Sequence, residues 1–359
     1  MSADEVPVID LSAFLKEWEA IPADRRATTK VDELPQEART VVRAWREAFG
    51  KFGFCHAIGH GVPDEVIENT YACARKFFGL PLEEKILSDT GRPYGSAGGG
   101  FKAQGAESVS KTETANPGGQ VAGTKTARPS DRVESMTYFG NGDDVIPKAV
   151  PEYADVMERY RKEVFRLLLG SMALTAAALD LPLGHFEPFF PTGKLSTNGN
   201  VMRLAYYPAY KEGQEPLPGQ MRYGEHTDYT GFTFLWQDHN VSGPQTASSG
   251  LEAPPGGLQV RMPDGSYVDC PPKPKAFTIN AGDLIQAWTN DVFLSNYHRV
   301  ANPPLGDRHA RISIVYFTGP THDTMVEPLP TCVGPDRPAR YSAISAGEHL
   351  NKKLKVSNV

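Results

Sequence analysis

Three short stretches hold residues that could do chemistry together. His226-Thr227-Asp228 sets an imidazole and a carboxylate two positions apart, and His298 lies farther along the chain. Arg311-Ile312-Ser313 repeats the two-position spacing with a guanidinium and a hydroxyl. In a β-strand, residues i and i+2 share a face. On that reading His226 and Asp228 point to one spot. Two imidazoles and one carboxylate can hold a metal and leave neighbouring coordination positions open. That suits non-haem Fe(II), which must take both dioxygen and a co-substrate. Zinc with a bound water could use the same donors. Arg311 and Ser313 on one face could grip a carboxylate through a forked pair of N–H donors and a hydroxyl. No piece is rare by itself. H-x-D arises by chance, a lone histidine is usually core or surface, and a strand arginine often makes an ion pair. The joint order is much rarer than its parts.

Something must position these residues. From about residue 200 the apolar pattern has the period of strands. The expected short strands are 201–207, 226–236, 257–260, 267–268, 276–280, 284–287, 298–300 and 311–317. Short strands separated by turns imply a sandwich or barrel. Upstream, VPVIDL at 6–11 and FGFCHAI at 52–58 read as strands, while 34–51, a stretch opened by Pro63, and 152–180 have helical spacing. Residues 91–132 form a Gly-rich insert, and 238–256 a polar one. The expected organisation is an N-terminal helical and strand portion over 1–150, then a long helix, an all-β core and a tail over 151–359.

Composition removes other classes. The chain has 359 residues, 40% of them hydrophobic and 22% charged, with a net charge of −6. A non-specific nucleic-acid binder needs a basic surface, which this balance does not supply. No apolar run reaches the roughly 18 residues of a membrane helix. The four cysteines, Cys55, Cys73, Cys270 and Cys332, form no C-x-x-C pair, so a disulfide framework or thiolate zinc site is not expected. A cytoplasmic monomer acting on a small molecule is the expectation. Glycine and proline number 34 and 30, above average usage. That excess reads as turns and as the two inserts rather than as an interdomain linker.

The order of motifs resembles the Fe(II)- and 2-oxoglutarate-dependent dioxygenases of the isopenicillin N synthase-like superfamily. VPVIDL, FGFCHAIGHGVP, FFGLPLEEK, RLAYYP, EHTDYTGFTFLWQD, GGLQV, INAGDLIQAWTND, SNYHRV and RISIVYF carry the resemblance over residues 6–320. It implies a double-stranded β-helix, or jelly roll, flanked by helices. It implies Fe(II) on His226, Asp228 and His298, and 2-oxoglutarate on Arg311, Ser313 and Tyr207, with O2 as the other co-substrate. The implied reaction oxidises an unactivated C–H bond of a small secondary metabolite or amino-acid-like substrate. Hydroxylation, desaturation and cyclisation all stay open, and succinate and CO2 are released.

Two departures from the family pattern bear on substrate. Ala205 stands where the family often has Asn, and 69 residues separate Asp228 from His298, more than is usual. Arg203, on the same strand face as Ala205 and Tyr207, could meet a substrate anion. Phe317 could be an aromatic substrate contact, and Tyr94 and Phe101 could anchor a lid formed by 91–132. The other histidines read as structural (His56, His60) or as surface (His239, His309, His322, His349). Three rivals remain: an isopenicillin N synthase-like oxidase using O2 without 2-oxoglutarate, a non-catalytic binder on the same scaffold, and a zinc hydrolase.

Overall fold

The computed structural model describes residues 5–91, 99–106, 129–192, 199–210, 213, 215–238, 256–303 and 309–357. The N-terminal half holds β1 (Val8–Asp10), α1 (Ser12–Ala20), α2 (Ala23–Arg26), α3 (Gln36–Lys51), β2 (Phe54–Ile58), α4 (Asp64–Phe78) and α5 (Leu82–Ile86). Next come β3 (Phe101–Lys102), β4 (Glu134–Tyr138) and the long α6 (Tyr153–Ala178). Strands then dominate: β5 (Val201–Tyr207), β6 (Tyr223–His226), β7 (Phe232–Gln237), β8 (Leu258–Arg261), β9 (Tyr267–Asp269) and β10 (Phe277–Ala281). The chain ends with α7 (Asp283–Trp288), β11 (His298–Val300), β12 (Arg311–Phe317), β13 (Met325–Val326), β14 (Ile344–Ser345) and α8 (Ala346–Ser357).

A major sheet has the order β1-β2-β10-β7-β12-β5-β4-β3, and a minor one the order β6-β11-β8-β9. The two make the jelly-roll core; α3 and α4 pack on the major sheet, with α6 against both helices. β1 and β2 come from the N-terminal portion yet pair within the major sheet, with Ile279 of β10 opposite Cys55 of β2. The N-terminal portion is thus built into the core rather than appended to it. The apolar stripe of α3 buries Val41, Val42, Trp45, Ala48 and Phe49. Trp45 stacks at a tilt on Phe49, and its indole N–H donates to Thr175 of α6 at 3.1 Å. This packing fixes the outer face of the major sheet and leaves the inner face to the site.

Two expected elements differ. Residues 226–236 are not one strand. β6 ends at His226, a turn follows, and β7 begins at Phe232. The turn is held by Gly231 N–H donating to Thr318 O at 2.7 Å and by Asp283 N–H donating to Asp228 O at 2.8 Å. Residues 284–287 are helical, inside α7, with Asp283 in the first turn. A short apolar run fits either period, and here the carboxylate at the helix start decides it.

Candidate metal and co-substrate site

Ten of the residues facing the space between the sheets come from alternating positions of four major-sheet strands. β12 contributes Arg311, Ser313, Val315 and Phe317; β5 contributes Arg203, Ala205 and Tyr207; β7 contributes Thr233 and Leu235; β10 contributes Asn280. The minor sheet supplies Tyr223, His226, Leu258, His298 and Val300, and Asp228 reaches in from the turn. They enclose about 540 Å3 of empty space, counting the mouth. Strict alternation explains how one face of each strand lines the cavity while the other belongs to the apolar core.

His226 and His298 are direct cross-strand partners on β6 and β11. Asp228 Oδ1 lies 3.8 Å from His226 Nε2 and 3.9 Å from His298 Nε2. The three donor atoms fall within 4.8 Å of one another, and no other group of this kind occurs among the described residues. Each imidazole is oriented through its other nitrogen. His226 Nδ1–H donates to Gly224 O at 2.8 Å, and His298 Nδ1–H to Asn296 O at 3.2 Å. A carbonyl can only accept, so Nδ1 is the donor in each ring and Nε2 is the nitrogen turned toward Asp228. Asp228 Oδ2 accepts from Thr233 Oγ1 at 2.5 Å and from Asn280 Nδ2 at 2.6 Å, which leaves Oδ1 facing the histidines.

Burial, with His298 next, pushes the His226 imidazole down to about 3, so it is neutral at physiological pH. Burial alone would raise the Asp228 carboxyl. The two imidazoles and the bonds from Asn280 and Thr233 outweigh it and hold Asp228 below the usual carboxylate range. Two imidazoles, His226 neutral, beside an ionised carboxylate are a donor set that fits a divalent cation.

A second constellation lines the same cavity. Arg311 faces Tyr207 across the β12–β5 pair, with its guanidinium 5.0 Å from the ring centre. Its Nη2 donates to Gln237 Oε1 at 3.1 Å, while its Nε and the Ser313 hydroxyl are buried without a hydrogen-bond partner. Buried polar atoms are rarely left so. A carboxylate in the cavity would satisfy both.

Arg203 also lines the cavity, and its Nη1 donates to Tyr223 Oη at 2.8 Å. Phe317 is on the wall as expected. Phe101 is not: it is fully buried in the core, ring to ring with Phe77 at 5.7 Å, and so is no substrate contact. β3 pairs with β4 at the sheet's far edge, Phe101 opposite Met136, which turns the side chain away from the cavity. Tyr94 and His239 lie outside the described residues, as do most of both inserts. His349, expected at the surface, is buried beside Asp283. Asn280 and Thr233, which orient Asp228, were not singled out from sequence. Their inward positions on β10 and β7 were the available signal. His60 is buried between Trp236 and Phe277, and its Nδ1 accepts from Val62 N–H at 3.1 Å, a structural role.

Comparison with known proteins agrees with this geometry. The 2OG-Fe(II) oxygenase superfamily matches residues 198–320, and the N-terminal region of the non-haem dioxygenases in morphine synthesis matches residues 6–121. A 2-oxoglutarate-Fe(II) type oxidoreductase, ppzC, of Metarhizium rileyi is 26% identical, covering 98% of this chain and 87% of its own. Gibberellin 20 oxidase 1-D of Triticum aestivum is 30% identical, covering 86% and 74%. A full-length Neurospora crassa protein, solved in complex with alpha-KG, superposes with a TM-score of 0.74 at 26% identity, covering 98% and 96%. The matched superfamily and ppzC are named for 2-oxoglutarate, and the Neurospora crassa protein was solved with alpha-KG, which sets aside the rival oxidase that works without it. Enzyme, iron, 2-oxoglutarate and O2 therefore go together here. The chain belongs to the Fe(II)- and 2-oxoglutarate-dependent oxygenase superfamily.

Proposed function

We propose that His226, Asp228 and His298 hold the iron, and that Arg311, Ser313 and Tyr207 hold the far carboxylate of 2-oxoglutarate. The observation that carries this is the unsatisfied pair of buried donors, Arg311 Nε and Ser313 Oγ, on the same cavity wall as the His-Asp-His group. When bound, the iron couples oxidative decarboxylation of 2-oxoglutarate to oxidation of a substrate C–H bond. The chain's own residues do the rest. Gly224 O and Asn296 O fix the imidazole rings, Thr233 and Asn280 fix the carboxylate, and Arg311 sets where the co-substrate ends. The apolar lining from Leu235, Leu258, Val300 and Val315 keeps bulk water from the reacting centre.

The substrate is a small anionic or amino-acid-like metabolite. Arg203 supports this. It is 3% exposed, it lines the cavity, and it is near enough to His226 to depress that imidazole further. Ala205, between Arg203 and Tyr207 on the wall, leaves space beside that cation. Phe317 offers an apolar surface along β12. The four cysteines are unpaired and buried, which supports a reducing compartment such as the cytosol. The enzyme acts as a monomer, away from nucleic acid and membrane. No helix among the described residues is long and apolar enough to cross a membrane.

A panel of small metabolites tests the substrate class. Succinate release above the substrate-free rate should come from carboxylated members. Arg203→Gln should raise KM for the active substrate about 10-fold or more, the loss of a charged hydrogen bond, and leave KM for 2-oxoglutarate unchanged. Stimulation by neutral compounds alone, unaffected by Arg203→Gln, contradicts the reading.

A further inference from the structure

We infer that the C-terminal helix is part of the metal centre's scaffold, with Lys353 as a positioning residue acting through Asp283. The inference rests on the ligand set proposed above. Asp283 opens α7 and is 8% exposed. Its backbone N–H donates to Asp228 O at 2.8 Å. One carboxylate oxygen, Oδ2, accepts from Thr227 Oγ1 at 3.3 Å, and Thr227 sits between two of the ligands. The other, Oδ1, accepts from Ser295 Oγ at 2.8 Å. Ser295 immediately precedes Asn296, whose carbonyl orients His298. One buried carboxylate therefore ties together both chain segments that carry the ligands.

A buried carboxylate needs a cation. Lys353 provides it from α8, with Nζ 2.6 Å from Asp283 Oδ2 and side-chain exposures of 10% and 7%. His349, one turn earlier on the same helix face, has Nε2 4.0 Å from the same oxygen. Lys353 Nζ also lies 5.8 Å from the ring centre of Tyr229, the residue after Asp228. The helix thus touches the metal turn twice, once through Asp283 and once through Tyr229. Without Lys353 the carboxylate is left buried and uncompensated. Water must then enter to solvate it, and its bonds to Thr227 and Ser295 loosen.

The test uses the full-length, metal-free protein and Co(II) alone as the probe. Co(II) affinity is measured by titration, and folding by circular dichroism. Lys353→Met is expected to weaken Co(II) binding about 10- to 100-fold, the usual effect of losing a group that orients metal ligands. Thr227→Val leaves the ion pair intact and cuts only the link to the ligand segment; it should weaken binding in the same direction. The double variant should lose less than the product of the two single losses, because both act on one network. Thr227→Val binding Co(II) like the wild type overturns the inference, even where Lys353→Met fails to fold. A folded Lys353→Met protein with wild-type affinity also overturns it, and leaves the helix as packing only. His226→Ala separates the two readings. Co(II) binding that survives it overturns the ligand set. Its loss there, with unchanged binding in both network variants, overturns only the role of the helix.

Discussion

Asp228 divides its oxygens between two tasks. Oδ2 is spent on Thr233 and Asn280, and Oδ1 faces the imidazoles. His226 is divided likewise, Nδ1 to a carbonyl and Nε2 to the cavity. Such division is what makes ordinary side chains into oriented ligands, and it needs neighbours that are donors or acceptors only. Arg311 works by shape as well as charge. Its guanidinium is aligned by Gln237 and Tyr207, with Nε left to the cavity. Lysine keeps the charge and loses the fork. Arg311→Lys is therefore expected to raise KM for 2-oxoglutarate about 10- to 100-fold, the worth of a charged hydrogen bond. Saturating 2-oxoglutarate should restore most of kcat. Steady-state succinate release over a 2-oxoglutarate series reads both, and an unchanged KM would remove Arg311 from the co-substrate site.

The elements place these residues through a close approach. A Cβ on Gly282 would sit 2.7 Å from Thr230 O, 2.8 Å from Gly231 O and 3.0 Å from Asp228 O. All three are backbone atoms of the turn that carries Asp228, so none can swing aside. Gly282→Ala should destabilise the protein by about 1–3 kcal/mol, the range for overpacking. It should weaken metal binding as well, which chemical denaturation and Co(II) titration would show separately. Wild-type stability in Gly282→Ala would mean the approach is looser than described. Much of this level was legible in the sequence. The alternation in RLAYY and RISIVYF puts Arg203, Tyr207, Arg311, Ser313 and Phe317 on one wall, as expected. The proximity of the proposed metal pair was legible for a partly mistaken reason. His226 and Asp228 converge through a turn beside α7, not through a shared strand face. Period alone could not separate α7 from a strand, since a short apolar run satisfies both. Phe101 misled because an aromatic beside glycines suits a lid and a core equally. Only its pairing in β3 decides. The charge on α8 that reaches Asp283 had no local signal at all, because its partner is 70 residues away.

Across the whole molecule, the site lies between two sheets whose outer layers must stay packed. His60 is one of the pins. Its Nδ1 accepts from Val62 N–H, a bond that an imidazolium cannot make, and burial brings its pKa from 6.5 down to about 4. The unfolded chain takes up this proton below about pH 6.5, and the folded chain only near pH 4. The neutral, buried ring thus contributes stability that is complete above pH 6.5 and is lost as pH falls toward 4. At about 1.4 kcal/mol per pH unit, the loss is on the order of 3 kcal/mol from this group. Urea unfolding at neutral and mildly acid pH should show a smaller drop for His60→Gln than for the wild type; equal drops would place the acid sensitivity elsewhere. The fold's N-terminal strands, its two sheets and its last helix all converge on His226, Asp228 and His298. The most direct test of that convergence is succinate release from 2-oxoglutarate in air with saturating Fe(II), compared between the wild type and His298→Ala. Release falling to the buffer background in a variant that keeps its circular dichroism is the predicted result. Release at the wild-type rate from His298→Ala would contradict the account.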